Sequence, residues 1–139
     1  MGHIFHDRKS AGLIAPISIC ILFLVTFPAT VLAHAKLMRS APPVGKKVES
    51  PEKIELWFNE LLDGQFNSIE VFSAAEASST NHTNLAIGKP EVDPKDKTHL
   101  TVTVKPLEPG KYFVDWRVLS LDGHSAPGRF QFQVAPKTK

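Results

Sequence analysis

The sequence predicts an all-β domain, a Greek-key β-sandwich or small barrel of about seven strands. Several short segments alternate apolar and polar residues with a period of two, which is typical of strands buried on one face. Proline and glycine residues separate these segments, for instance at residues 41–45 and 106–110. No window of eleven or more residues after position 33 has a helical period, so the pattern favours packed sheets over helices.

Three strands are expected in the first half of the chain. Residues 34–40 form an extended arm or first strand that ends at the proline-rich turn. Residues 53–59 alternate apolar side chains with Glu55 and Trp57, as a half-buried strand does. Residues 66–73 repeat this alternation after an Asp-Gly turn, and they are the third expected strand.

The second half of the chain begins with a gap in the pattern. Residues 74–97 are rich in polar residues and are expected to form a long connection, with at most a short strand at residues 85–87. Regular alternation returns at residues 100–104, 112–119 and 130–134. These three segments are expected to complete the sandwich.

Composition limits the classes of function. The chain has 139 residues, with 16 Lys and Arg against 14 Asp and Glu, so its charge gives no indication of nucleic-acid binding. Its only cysteine, Cys20, lies in the apolar N-terminal run, which leaves the rest of the chain without a thiolate ligand or nucleophile. Trp57, Trp116 and the phenylalanines are expected to supply much of the core.

The N-terminus has the pattern of a secretory signal peptide. Arg8 and Lys9 precede an uncharged apolar run over residues 11–27, and a small-residue exit of the A-x-A type follows at Val31-x-Ala33. This order of charged, apolar and small-residue regions predicts cleavage after Ala33.

Cleavage would divide the chain into a signal peptide, residues 1–33, and one domain, residues 34–139, with no membrane insertion afterwards. His34 would then be the first residue, and its α-amine and ring nitrogen could bind one metal ion as a chelate. The alternative is a retained membrane anchor, since the apolar run is near the lower limit for a spanning helix. A retained anchor would place the His34 nitrogen in a peptide bond and remove one ligand.

A second candidate ligand group is the tripeptide Asp122-Gly123-His124. In an extended backbone, positions two apart project to the same side, so Asp122 and His124 can present an oxygen and a nitrogen to one ion. With His34, the set becomes three nitrogens and one oxygen, which suits Cu(II). Taken alone, Asp-Gly is also a common turn dipeptide, and a histidine beside it is often simply solvated.

After position 33 the chain resembles the CopC-type periplasmic copper-binding proteins over nearly its whole length. The matching motifs are, in order, His34-Ala35-x-Leu37, Ser40-Ala-Pro, Ile54-x-Leu56-x-Phe58-Asn59-Glu60, Gly110-x-Tyr112-x-Val114-x-Trp116-x-Val118-x-Ser120, Asp122-Gly123-His124 and Gly128-x-Phe130-x-Phe132-x-Val134.

The resemblance implies a cupredoxin-like or immunoglobulin-like sandwich that binds one Cu(II) per chain in the bacterial periplasm. It implies His34, Asp122 and His124 as metal ligands. It also implies that Glu60 lies beside them and orients the amine or a bound water. The partner that it implies is an inner-membrane copper transporter of the CopD type.

One departure from the family concerns the middle of the chain. Some members carry a methionine-rich stretch there that supplies soft ligands for Cu(I), whereas residues 74–97 contain no methionine. We therefore expect no separate Cu(I) site. The sequence leaves open whether His82 or His99 binds metal.

Three functions compete at this point. The favoured one is a Cu(II) carrier or buffer, which is not an enzyme. The second is a copper oxygenase that uses a terminal histidine, although a carboxylate ligand such as Asp122 favours the 2+ state and so hinders redox cycling. The third is an interaction domain of the β-sandwich type with no metal.

Overall fold

The computed structural model describes residues 1–2 and 35–136, and in this part of the chain eight β-strands form two four-stranded sheets. The predicted all-β class is confirmed, and within these residues the sheets form a sandwich rather than a closed barrel. The same residues contain no helix that is long and apolar enough to cross a membrane. The predicted signal peptide lies outside the described residues. The strands are β1 Leu37–Ala41, β2 Lys47–Val48, β3 Lys53–Phe58, β4 Ser68–Ser73, β5 Ala86–Val92, β6 His99–Val104, β7 Gly110–Leu119 and β8 Ser125–Val134.

The two sheets have the strand orders β1-β3-β6-β5 and β2-β8-β7-β4. Every pair is antiparallel except β2 with β8. The chain passes repeatedly from one sheet to the other, as it does in Greek-key sandwiches. The longest pairing, between β7 and β8, runs from Gly110 opposite Val134 to Leu119 opposite Ser125.

The core lies between the sheets and is built from every second residue of the strands. The predicted alternation in β3, β6, β7 and β8 is confirmed, because its apolar positions are buried while the positions between them are mostly part-exposed. The largest completely buried side chains include Leu56, Leu100, Val114 and Phe132.

The expected contribution of Trp57 to the core is wrong. Its neighbours along β3, Leu56 and Phe58, are buried, so the period of two turns the indole to the outer face of the sheet. There the ring stacks on His99 at 4.3 Å, and the Arg39 guanidinium carbon lies 3.7 Å from its centre. The other tryptophan, Trp116, packs against the core as expected.

Strand β5 is longer than the short strand expected at residues 85–87. It continues to Val92 through Gly88 and Pro90, two residues that break a strand pattern in the sequence. The pairing with β6 shifts between Ile87 and Glu91, and Gly88 has a φ of 77°. An edge strand tolerates proline and such an irregularity because one of its sides has no partner.

Strand β8 also begins earlier than expected, at Ser125 rather than Phe130. Pro127 fits because β2 covers only Gln133 and Val134, so residue 127 needs no donor on that side. Gly128 fits because it lies against the indole of Trp116, where an added Cβ would come within 2.1 Å of the ring. The loop between β7 and β8 is therefore short.

Candidate metal centre

The candidate ligands Asp122 and His124 lie in the tight loop that joins β7 to β8. The Ser120 N–H donates to the carbonyl oxygen of His124 at 3.0 Å, and the Gly123 N–H donates to that of Ser120 at 2.9 Å. Gly123 has a φ of 88°, in the left-handed region that favours glycine. This is the hydrogen bonding of a three-residue hairpin loop whose last residue is left-handed.

The loop brings the two candidate ligands into contact. Asp122 Oδ2 lies 3.0 Å from His124 Nδ1. Two ligand atoms bound to one ion at right angles, each about 2.1 Å from it, would be about 3 Å apart, so the pair fits two adjacent coordination positions. The expectation of an extended backbone is wrong, since the contact arises from the turn at Gly123. The side chains are about half exposed, at 52% for Asp122 and 45% for His124.

The carboxylate of Asp122 is held by three contacts. Its Oδ1 accepts hydrogen bonds from the Ser120 hydroxyl and, at 3.1 Å, from the His124 N–H. These bonds, Ser120 first, together with the His124 side chain, lower the pKa of Asp122 to about 2. The group is therefore ionised at neutral pH and suits a cation.

Ser120 is a further site residue, which was not among the candidate ligands predicted from the sequence. It is 2% exposed, although it is polar. A hydroxyl two residues before an aspartate in a Gly-containing turn is a local pattern that could have suggested the bond. The pattern is weak, because serine and aspartate are common in turns of many kinds.

The segment that follows β3 lies alongside this loop. The Leu121 N–H donates to the carbonyl oxygen of Leu61 at 2.9 Å, and the neighbouring residues form an antiparallel bridge. Glu60 directly precedes Leu61, so its backbone is next to this contact between the segment and the loop. Glu60 is therefore at the same end of the sandwich, and no polar partner for its carboxylate is found within residues 35–136.

The start of the domain is attached to the same segment. The Lys36 N–H donates to Asn59 Oδ1 at 2.5 Å, and the Asn59 N–H donates to the carbonyl oxygen of Lys36 at 3.1 Å. Ala35 is buried in the core cluster. Residues 35 and 36 therefore run beside the chain that leads into Glu60. The remaining candidate ligand, His34, lies outside the described residues.

His82 lies in contact with β4. Its Nε2 is 2.9 Å from Glu70 Oε2, and its ring stacks on Phe72 with the centres 3.9 Å apart. The imidazole therefore has one carboxylate partner and covers an aromatic ring that would otherwise face solvent.

His99 lies on the outer face of the other sheet, stacked on Trp57. Its Nε2 is 3.1 Å from Glu55 Oε1, without the alignment of a hydrogen bond, and its Nδ1 is 3.5 Å from Asp93 Oδ2. The carboxylates face opposite nitrogens, so the three groups do not converge on one point. Across the described ranges, no three His, Cys, Asp or Glu side chains are grouped closely enough to bind a metal ion.

Comparison with known proteins gives consistent matches over this domain. Residues 37–135 match the family model of the CopC domain. Copper resistance protein C of Pseudomonas syringae pv. tomato is 36% identical over 103 residues, which are 73% of this chain and 81% of that protein. Copper resistance protein C of Escherichia coli is 32% identical over 106 residues, which are 74% of this chain and 82% of that protein.

A solved structure agrees with the fold as well. The crystal structure of CopC from Methylosinus trichosporium OB3b superposes with a TM-score of 0.67 and 25% sequence identity. The superposition covers 76% of this chain and 98% of that one. The matched region of the family model includes both sheets and the loop that carries Asp122 and His124.

Proposed function

The chain belongs to the CopC family of copper-handling proteins, and from this premise we propose that it binds one Cu(II) ion in the periplasm as a carrier or buffer. The observation that carries the proposal is the 3.0 Å contact between Asp122 Oδ2 and His124 Nδ1. The pair is exposed, ionised at Asp122, and spaced as two ligands of one ion.

His34 completes the proposed ligand set. Signal cleavage after Ala33 leaves a domain of residues 34–139 with a free α-amine, one residue before the buried Ala35. The hydrogen bonds between Lys36 and Asn59 support a site here, because they tie the start of the domain to the segment that leads into Glu60. The amine, two imidazoles and one carboxylate form a set that suits tetragonal Cu(II).

Glu60 is proposed to assist without binding the ion. Its position next to Leu61, whose carbonyl oxygen accepts the Leu121 N–H, supports a role in orienting the His34 amine or a bound water. Such outer groups fix the direction in which a ligand atom points, and so they contribute to affinity.

The proposed role is binding rather than catalysis. The Asp122 carboxylate stabilises the 2+ state of the ion, which opposes the redox cycling that an oxygenase needs. The exposure of Asp122 and His124 instead favours exchange of the ion with another protein. The exposed side chains of Leu61 and Leu121 border the loop, and we propose this face as the contact for an inner-membrane copper transporter of the CopD type.

Copper titration of the purified chain beginning at His34 tests the proposal. We expect one Cu(II) per chain by elemental analysis, and the substitution His124→Ala should weaken the affinity by roughly 100-fold in competition with a chelator. His82→Ala is the matched control, and it should bind as the parent does. Equal affinity in the parent and the His124→Ala variant would refute the site.

A further inference from the structure

Ser120 is a polar residue buried directly beneath the exposed turn. Its side chain is 2% exposed, and its hydroxyl donates to Asp122 Oδ1. The hydroxyl oxygen of Ser120 also lies 3.1 Å from the carbonyl oxygen of His124. A buried hydroxyl without a partner is unfavourable, so this serine is stable here only while the bond to the turn is formed.

Because Ser120 donates to Oδ1, the two carboxylate oxygens of Asp122 have different partners. Oδ1 accepts hydrogen bonds from the Ser120 hydroxyl and the His124 backbone, whereas Oδ2 faces the imidazole nitrogen of His124. The terminal torsion of a carboxylate is broad, so each of these contacts restricts the rotation of the Asp122 side chain. The buried donor therefore helps to hold the plane of the carboxylate, with Oδ2 on the side of the His124 imidazole.

The backbone of Ser120 has a separate role. Its N–H and carbonyl close the loop by bonding to His124 and Gly123. A side-chain substitution leaves these backbone bonds in place. The hydroxyl can therefore be removed without removing the bonds that define the turn.

We propose that Ser120 is a positioning residue for the copper site, holding Asp122 so that Oδ1 stays bound to the protein and Oδ2 alone binds the ion. The inference rests on the proposed function. A carboxylate fixed in its binding orientation loses less conformational freedom when the ion arrives, and this raises affinity. Removing the hydroxyl leaves Oδ1 with the His124 N–H as its remaining donor, so the carboxylate rotates more widely and the ion meets a mixture of orientations.

Side-chain substitutions at two serines of the hairpin test this proposal in the chain that begins at His34. Ser120→Ala should weaken Cu(II) binding by about tenfold and alter the electron paramagnetic resonance spectrum of the loaded protein. Ser120→Thr, which keeps the hydroxyl, should restore the parent spectrum. Ser125→Ala removes an exposed hydroxyl from the same hairpin and should change neither quantity.

A double-mutant cycle separates positioning from general stability. If Ser120 acts through Asp122, Ser120→Ala should have no further effect on affinity in an Asp122→Asn background. An equal loss in both backgrounds would overturn the inference. So would a Ser120→Ala variant with the parent affinity and the parent spectrum, provided that binding by the parent still depends on His124.

Two further measurements distinguish a failure of the proposed function from a failure of the inference about Ser120. A parent chain that binds no Cu(II), or binds it equally well after His124→Ala, refutes the proposed function itself. If Ser120→Ala does not fold, a crystal structure of the copper-loaded parent decides the matter. It should have Oδ2 alone on the ion and Oδ1 still bonded to Ser120, and coordination by both oxygens would overturn the inference.

Discussion

Asp122 carries three polar contacts on a side chain that is about half exposed. The sequence was sufficient to predict Asp122 and His124 as candidate ligands, although their contact comes from the turn at Gly123 and not from an extended backbone. The bond from Ser120 was not predictable in the same way, because it depends on the depth of residue 120 beneath the turn. The local pattern of a serine two residues before an aspartate gives only a weak indication of the bond, and none of the burial of the serine.

The lowered pKa of Asp122 predicts how stability changes in acid. The folded pKa of about 2 is below the ordinary value of about 3.9, so between them the unfolded chain binds more protons than the folded chain. The stabilisation by Asp122 is therefore complete above about pH 4 and is lost as the pH falls through about 2. Asp122→Asn should reduce the free energy of unfolding modestly at neutral pH, and the difference from the parent should vanish near pH 2.

Urea unfolding of both proteins across a pH series measures this difference. The metal-free proteins are used, so that copper does not contribute. A difference that stayed constant from pH 7 to pH 2 would contradict the assignment of these bonds to the ionised carboxylate.

At the scale of elements, the long β7–β8 hairpin presents the candidate ligands. The alternating pattern places the start of the last strand at Phe130, after Pro127 and Gly128, whereas both residues lie within β8. Their places in β8 depend on the edge that β2 leaves uncovered and on the indole of Trp116. Both are tertiary features, and local propensity does not contain them.

The contact between Gly128 and Trp116 gives a test of this packing. Gly128→Ala would place a Cβ within 2.1 Å of the indole ring, so the ring or the strand must move. We expect a loss of about 1–3 kcal/mol in the free energy of unfolding, measured by urea titration. Gly64→Ala is the control, since nothing lies within 4 Å of a Cβ there. Equal stability in the two variants would show that the strand packs differently.

The hydrogen bonds between Lys36, just before β1, and Asn59, just after β3, give a second test at the scale of elements. Asn59→Ala removes the side-chain acceptor of the Lys36 N–H and should loosen the start of the domain. A hydrogen bond contributes about 1 kcal/mol. If its loss reduces the free energy of Cu(II) binding by the full amount, the affinity decreases by about fivefold. Asn81→Ala, in an exposed loop, is the control. An unchanged Cu(II) affinity for the Asn59→Ala variant would show that the hydrogen bond at the start of the domain does not contribute to copper binding.

Over the whole molecule, three distant parts of the chain meet at one end of the sandwich. They are the start of the domain at residues 35–36, the segment at residues 59–62 and the loop at residues 120–124. The fold class was predictable from the alternating patterns, since these determine which faces are buried. The meeting of the three segments was expected only from the resemblance to the CopC-type proteins, because the patterns alone do not give the order of strands in the sheets.

Trp57 is a residue for which two features of the sequence gave opposite predictions. Its position in the alternation indicated the outer face, whereas its size suggested the core. The structure follows the alternation, since the ring is partly covered by Arg39 and His99 on the surface of the sheet. Composition was therefore a poorer guide than periodicity for a large aromatic residue.

The Cu(II) affinity of the chain that begins at His34, compared with that of a chain carrying one extra glycine before His34, tests the central claim most directly. The extra residue converts the α-amine of His34 into an amide and leaves every described contact unchanged. We predict 1:1 binding by the first chain, weakening as the pH falls because protons compete for the amine and imidazoles, and affinity lower by roughly 100-fold in the second. Equal affinity in the two chains would contradict a site that depends on the terminal amine.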